Sequence, residues 1–194
     1  MGKIRSAWEI ALERTENIQV DREKLRLDED IKKARMAAGA FLNDEENKGE
    51  SLKDDLDKIG NEKAVREGVK LTVIQNLTLP QDTVLTDRYE RLTALVSLIA
   101  GESSQAVALM AQITGFCKQY PEHRKQLIDQ LKEQFAPMAE QKASQLRAQY
   151  GQDVPVSLEN DPEFLKIAQT QLDRLSKQYN ETLEGAKAQL KDML

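Results

Sequence analysis

The sequence predicts an all-α protein, with a helical bundle core and a long antiparallel, coiled-coil-like helical hairpin at the C-terminal end. Three observations predict this fold. The composition is 31% charged and 5% aromatic with few glycines and prolines, a balance typical of long helices. Apolar residues recur every three or four positions along most of the chain. Two final stretches, each of about 30 residues and free of long breaks, are joined by a short polar loop.

The first helix is expected to begin at Ser6, because Ser6 and Glu9 have the spacing of a capping box. Trp8, the only tryptophan, lies on its apolar face. We interpret Trp8 as an anchor to the body of the protein, and the alternative is an interface hot spot. Residues 17–21 interrupt the pattern, so a second helix is predicted to start at Asp21.

The second predicted helix ends near Leu42 and carries a patch of small residues around Ala34 and Ala38. Such a patch predicts that another helix approaches closely. Residues 43–50 contain no apolar side chain and predict a solvated break.

A third helix is predicted from Ser51 to about Leu77, weakened by Gly60 and Gly68. The segment 69–73 alternates like a strand, but no partner strand is evident, and a lone strand is not stable. We therefore predict a helix that ends before Pro80, since the residue before a proline disfavours the α conformation.

The central stretch, residues 82–120, is the most apolar part of the chain and is predicted to be the element against which the other helices pack. Asp82 is expected to cap its first helix. Gly101 is either a tight turn between two helices or a bend in one, and the serines that follow it favour the turn. A turn predicts a short helical hairpin in the core.

Pro121 is predicted to begin the next helix, which contains Pro137 and ends at Gly151. Asp161, followed by a proline and a glutamate, is a strong start signal for the last helix. From Leu172 onward the apolar positions of that helix follow steps of three and four with one slip, which is typical of a coiled-coil seam. The final two helices are therefore predicted to pair antiparallel.

These elements predict two regions. Residues 1–120 form an N-terminal helical region that includes the apolar stretch 82–120, and residues 121–194 form the long hairpin. The length of 194 residues is also compatible with a single domain.

Composition also limits the cellular setting. The net charge is −5 with both signs interleaved, which argues against a nucleic-acid or anionic-membrane partner. A membrane span needs roughly 20 apolar residues in a row, and charges interrupt every apolar run before that length. One cysteine precludes an intrachain disulfide. We therefore expect a cytoplasmic protein.

No catalytic, cofactor-binding or metal-binding residues are predicted, and we expect that the protein is not an enzyme. His123, the only histidine, is interpreted as a surface residue in the first turn of a helix, and Cys117 as a residue at the edge of the core. Together they provide too few ligands for a zinc site. Phosphate-binding loop motifs are absent from the sequence. Paired carboxylates lie in charge-balanced runs where nothing apolar would raise their pKa.

Two segments carry a resemblance. The opening KIRSAWEIALERTENI and the C-terminal DPEFLKIAQTQLDRLSKQYNETLEGAKAQL, together with Leu79-Pro80 before the central helix, resemble an uncharacterised bacterial family of helical proteins that carries only a domain-of-unknown-function label. The resemblance implies an all-helical fold and a bacterial origin. It implies no functional residues.

The amphipathic helices bring more one-sided apolar surface than one central stretch is expected to cover. The sequence therefore predicts a non-enzymatic helical interaction or scaffold protein that self-associates as a homo-oligomer. The alternative is a holdase-type chaperone or adaptor that grips segments of client proteins. The residues predicted to make the contacts are Trp8, Ile31, Leu172, Leu175, Tyr179 and Leu183.

Overall fold

All regular structure in the described part of the chain is helical, as the sequence predicts. The computed structural model describes residues 7–43, 50–80, 87–102, 104–151 and 157–194, and the side chains of residues 7–21 and 50 are outside this description. The helices are α1 (Ala7–Asn43), α2 (Glu50–Asp57), α3 (Glu62–Asn76), α4 (Arg88–Ala100), α5 (Gln105–Tyr150) and α6 (Pro162–Met193), with a 3-10 turn at Leu158–Asn160.

The chain forms two compact units. The first, here called the bundle unit, comprises Met1–Leu77, Asp87–Val107 and Met193–Leu194. The second, the hairpin unit, comprises Thr78–Thr86 and Ala108–Asp192. The predicted division into residues 1–120 and 121–194 stays a prediction.

Several predicted helix boundaries are wrong. α1 runs without a break through residues 17–21, so Asp21 does not cap a second helix. The helix continues through this segment, which contains no glycine or proline, the two residues that oppose a helix most strongly. In contrast, the helix predicted from Ser51 to Leu77 is two helices, because Gly60 adopts a φ of 68° and ends α2. Asn61 then caps α3, its side chain accepting from the backbone N–H of Ala64.

Gly101 is a turn. Its φ of 87° lies in the region that favours glycine, and its N–H donates to the carbonyl of Ser97. Ser104 accepts from the N–H of Val107 at the start of α5. The predicted cap at Asp82 and the capping box at Ser6 lie outside the described residues.

Pro121 does not begin a new helix, which is a second correction. α5 runs through both Pro121 and Pro137 for 46 residues. The second half of the central stretch is therefore the first part of this long helix and does not form a short helix of its own. α5 ends where Gly151, with a φ of 67°, donates its N–H to the carbonyl of Arg147.

In the bundle unit, α3 packs against α1 and α4, and α1 also contacts α2 and α4. Buried apolar side chains from all four helices fill the space between them, among them Ala34, Ala38, Leu56, Val69, Val73, Leu92, Leu95 and Val96. Arg91 closes the end of α1 by donating to the carbonyls of Phe41 and Leu42.

The close helix approach predicted at the small residues of α1 is confirmed, and its counterpart is Gly68 of α3. A Cβ on Gly68 would lie 2.6 Å from the Cβ of Ala34 and 2.7 Å from the carbonyl oxygen of Ile31. Only hydrogen fits in that space. Gly68 therefore sets the distance between α1 and α3, although the sequence alone marks it as a weak point in a helix.

Candidate interaction surface

In the hairpin unit, α5 and α6 pair antiparallel through two groups of side chains. The first group, here called the aromatic cluster, is formed by Phe116, Tyr120, His123 and Tyr179. The ring of Tyr179 stacks on Phe116 with centroids 4.6 Å apart and lies 5.0 Å from the ring of Tyr120. Aromatic pairs at these distances stabilise a contact beyond the apolar area that they bury.

The polar atom of Tyr179 also has a partner in this cluster. Its hydroxyl lies 2.5 Å from Nδ1 of His123, and the neutral phenol donates when that nitrogen is unprotonated. Burial raises the pKa of Tyr179, and charge repulsion from the nearby Cys117 sulfur raises it further. The phenol is thus held in its neutral form, which suits a hydrogen bond that fixes the two helices in register.

Cys117 and His123 both differ from their sequence interpretation. Cys117 is fully buried and belongs to the core. His123 is exposed, as expected, but it lies within α5 and not in a first turn. The pairing of His123 with Tyr179 was not predicted, because a helix was expected to start at Pro121. That boundary separates His123 from Phe116 and Tyr120, which lie on the same helix in the structure.

The second group lies closer to the loop between α5 and α6. Phe135 and Phe164 meet edge to face with centroids 5.5 Å apart. They belong to a small apolar cluster with Leu131 and Ala168. Together the two groups define the antiparallel direction, because residue numbers rise along α5 as they fall along α6.

Asp161 begins α6 as predicted and also binds α5. Its Oδ1 accepts from the backbone N–H of Glu163 at 2.9 Å, and its Oδ2 accepts from Nζ of Lys142 at 2.6 Å. The hydrogen bond from Lys142 lowers the pKa of Asp161, and the backbone N–H groups of Glu163 and Phe164 lower it further. The hydrogen bond to Asp161 in turn raises the pKa of Lys142. This ion pair therefore joins the start of α6 to α5.

Large apolar side chains remain exposed on this part of the hairpin unit. The exposed fractions are 42% for Met138, 65% for Tyr150 and 50% for Leu165. Two helices bury only the stripe between them, so their outer faces stay open to solvent in the single chain.

A polar cleft of about 620 Å³ also lies in the hairpin unit. It is lined by Thr78, Leu79, Pro80, Tyr120, Arg124, Gln169, Leu172, Asp173, Ser176 and Asn180. The guanidinium of Arg124 lies 5.9 Å from the centroid of the Tyr120 ring. Gln169 donates to Asp173, and Asn180 donates to Ser176, so part of this polar lining is already paired.

The six residues predicted to make contacts have different surroundings. The side chain of Trp8 lies outside the described residues. Ile31, Leu172 and Leu175 are half-buried. Tyr179 and Leu183 are buried within the chain, with exposed fractions of 7% and 1%. That these six residues contact another protein stays a prediction.

Two further findings concern the described residues alone. They contain no group of three or more His, Cys, Asp or Glu side chains arranged to hold a metal ion. None of the described helices is both long and apolar enough to cross a membrane.

The chain matches a known protein family. Residues 53–192 match a family of unknown function (DUF6657), which is more than half of the chain. The chain belongs to this family, whose fold here is entirely helical over the described residues. The matched region includes the C-terminal segment of the resemblance, whereas the N-terminal KIRSAWEIALERTENI lies before it. No curated protein and no solved structure matches the chain.

Proposed function

We propose that this protein is a non-enzymatic helical interaction protein that self-associates through its hairpin unit. The observation that carries the proposal is the one-sided burial of α5 and α6. Beyond Leu131 no residue of α5 is fully buried, although the helix continues to Tyr150. A partner helix would cover the outer faces that the hairpin leaves open.

The bundle unit differs in how its central helix is covered. Its α3 is packed against both α1 and α4, and Val69, Val73 and Leu77 are fully buried. Large apolar side chains are also exposed on this unit, at Leu25, Met36, Leu98 and Met193, so the proposal rests on the burial along α5 and not on a difference in exposed apolar side chains between the units.

The shifted pKa values have structural causes. Asp55 and Lys58 form an exposed ion pair on α2, and Asp161 and Lys142 join two helices. The raised pKa of Tyr179 has a packing cause, since burial in the aromatic cluster is its main origin.

The proposal includes a cytoplasmic, bacterial setting without nucleic-acid or membrane partners. It rests on the single cysteine, the net charge of −5 and the resemblance of the opening sequence to bacterial helical proteins.

The test is the mass in solution as a function of concentration. Size-exclusion chromatography with light scattering should give a mass above the monomer value of 22.0 kDa at high micromolar concentration, and the mass should fall on dilution. A strict monomer at every concentration would contradict self-association. If the monomer also suppresses aggregation of unrelated unfolded proteins, the holdase alternative replaces the present proposal.

A further inference from the structure

The two most exposed large apolar side chains among the described residues of the bundle unit lie on one side of α1. Leu25 is 62% exposed and Met36 is 67% exposed, and the exposed residues Glu29 and Lys32 lie between them. The steps from Leu25 to Met36 are 4, 3 and 4 residues, which is the heptad spacing of a helix seam. These four residues, here called the outer α1 line, extend over about 17 Å of the helix.

The outer α1 line takes no part in the packing of α1 against α3. Gly68 of α3 approaches α1 at Ala34, and Ala34 and Ala38 are fully buried. With 3.6 residues per turn, these two alanines lie roughly 150–170° around the helix axis from the line. A helix bound to the line would therefore leave the contact between α1 and α3 intact.

The two charged members of the line are not engaged within the described part of the chain. Neither Glu29 nor Lys32 has a hydrogen bond or an ion pair there, whereas the adjacent Lys33 pairs with Asp30 at 3.2 Å. Glu29 and Lys32 each lie about 30° from the middle of the line, on opposite sides of it. A helix packed along the line therefore meets both charges.

We propose that a second copy of this chain binds antiparallel along the outer α1 line. With a two-fold axis between residues 30 and 31, Leu25 of one copy faces Met36 of the other. Glu29 of one copy then faces Lys32 of the other. Every contact about the axis thus joins two apolar side chains or two opposite charges.

The order of residues along the line favours this direction. The line reads apolar, acidic, basic, apolar, so reversing one copy matches each type with its complement. In a parallel dimer in register, Glu29 would face Glu29 and Lys32 would face Lys32. Like charges facing each other destabilise a contact, so the parallel arrangement is disfavoured.

This contact is separate from the self-association proposed for the hairpin unit, because α1 belongs to the bundle unit. A chain with both contacts presents two different surfaces to further copies, so its assembly grows beyond a dimer. A contact of about 17 Å between two helices buries little surface and is weak by itself. Its test therefore traps the contact covalently.

Disulfide trapping tests the surface and the direction together. Leu25→Cys and Met36→Cys are made as separate variants, one labelled with nitrogen-15, and mixed under mild oxidation. The antiparallel contact predicts a disulfide between the two variants. Either variant alone should give little dimer, because its substituted positions then lie about 17 Å apart and a disulfide needs Cα atoms within about 7 Å. The native Cys117 is fully buried.

The products, identified by mass spectrometry, decide between the outcomes. Dimers of each variant with itself, or equal amounts of all three pairs as random collision gives, would overturn the antiparallel contact. No disulfide in a mixture whose mass rises with concentration would also overturn it and leave the self-association of the hairpin unit standing. A mixture with neither disulfide nor a rise in mass would contradict both proposals.

A charge swap tests the pairing of Glu29 with Lys32. Added to both trapping variants, Glu29→Lys places like charges opposite each other, and the initial rate of disulfide formation should fall by about fivefold or more. Further addition of Lys32→Glu restores opposite charges and should restore the rate. An unchanged rate with Glu29→Lys, or no recovery with the double swap, would overturn the inference.

The matched control for the charge swap is Glu23→Lys. It makes the same chemical change at an exposed position of α1 that lies roughly 150° around the helix axis from the outer α1 line. The rate of disulfide formation should not change in this control. Equal losses with Glu23→Lys and Glu29→Lys would mean that net charge, and not the outer α1 line, controls the association, and the inference would fail.

Discussion

The bundle unit and the hairpin unit use the same kind of amphipathic helix in different surroundings. In the bundle unit, α3 has neighbours on two sides, and its residues Val69 and Val73 are inaccessible to solvent. In the hairpin unit, α5 and α6 contact each other through one stripe, and side chains such as Met138 and Leu165 remain exposed. The comparison teaches that periodicity predicts which face of a helix is apolar, whereas the number of neighbouring helices decides how much of that face is covered.

Removal of a core leucine should show the largest difference between the units. Leu92→Ala in α4 creates a cavity at a fully buried site, so we expect a loss of about 2–5 kcal/mol in the free energy of unfolding. Leu146→Ala at a half-buried site of α5 should cost only about 1 kcal/mol. Urea unfolding followed by circular dichroism measures both. Equal losses would mean that the hairpin unit is packed as fully as the bundle unit.

Replacing a helical glycine by alanine should change the free energy of unfolding in opposite directions in the two units. Gly68→Ala forces the new methyl group against Ala34 and the α1 backbone, and it should destabilise by about 1–3 kcal/mol. Gly185→Ala in α6 meets no atom within 4 Å and should stabilise by about 0.5–1 kcal/mol through helix propensity. The shift in thermal midpoint gives the sign in each case. Stabilisation by Gly68→Ala would contradict the close approach of α1 and α3.

Removing a hydrogen bond from the aromatic cluster of the hairpin unit should change the free energy of unfolding less than the substitutions above. Tyr179→Phe keeps the stacked ring and removes the hydrogen bond to His123, so we expect a loss of about 0.5–1.5 kcal/mol. Tyr150→Phe, at an exposed ring, should stay within about 0.5 kcal/mol of the unmodified chain. If the combination of Tyr179→Phe with His123→Ala costs the sum of the two single losses, the two side chains are not coupled.

The smallest expected change in stability comes from the ion pair between Asp161 and Lys142 at the start of α6. Because the folded pKa of Asp161 lies below its ordinary value of 3.8, the stability from this carboxylate is present above that pH. It is lost as the pH falls through the lowered folded value. Asp161→Asn keeps a capping side chain but lacks the charge, so it should be less stable than the unmodified chain near neutral pH. This difference should disappear in acid, and a difference independent of pH would contradict the role of the ion pair with Lys142.

The sequence predicted the helical class and the start of α6 at Asp161, and it favoured a turn over a bend at Gly101, because each has a local physical signal. It did not predict the continuity of α5 through Pro121. A proline in a helix loses one hydrogen bond, and only tertiary packing decides whether the helix continues. Gly68 was likewise predictable only in part. Its unfavourable effect on helix stability can be read from the sequence, but its close contact with Ala34 cannot.

The candidate surface was predictable only in part. The apolar seam of α6 correctly indicates the buried positions of Tyr179, Leu183 and Leu190. The exposure of Met138 and Tyr150 was not predictable, because it depends on how many helices surround α5.

Hydrogen–deuterium exchange at two protein concentrations tests the central claim most directly, because it reports on both units in one experiment. If the hairpin unit is covered by a second copy, exchange of the α5 amides in residues 131–150 should slow as the concentration rises, while exchange in α3 and α4 stays the same. Identical exchange of residues 131–150 at both concentrations, in a sample whose mass does increase, would show that the chain associates elsewhere.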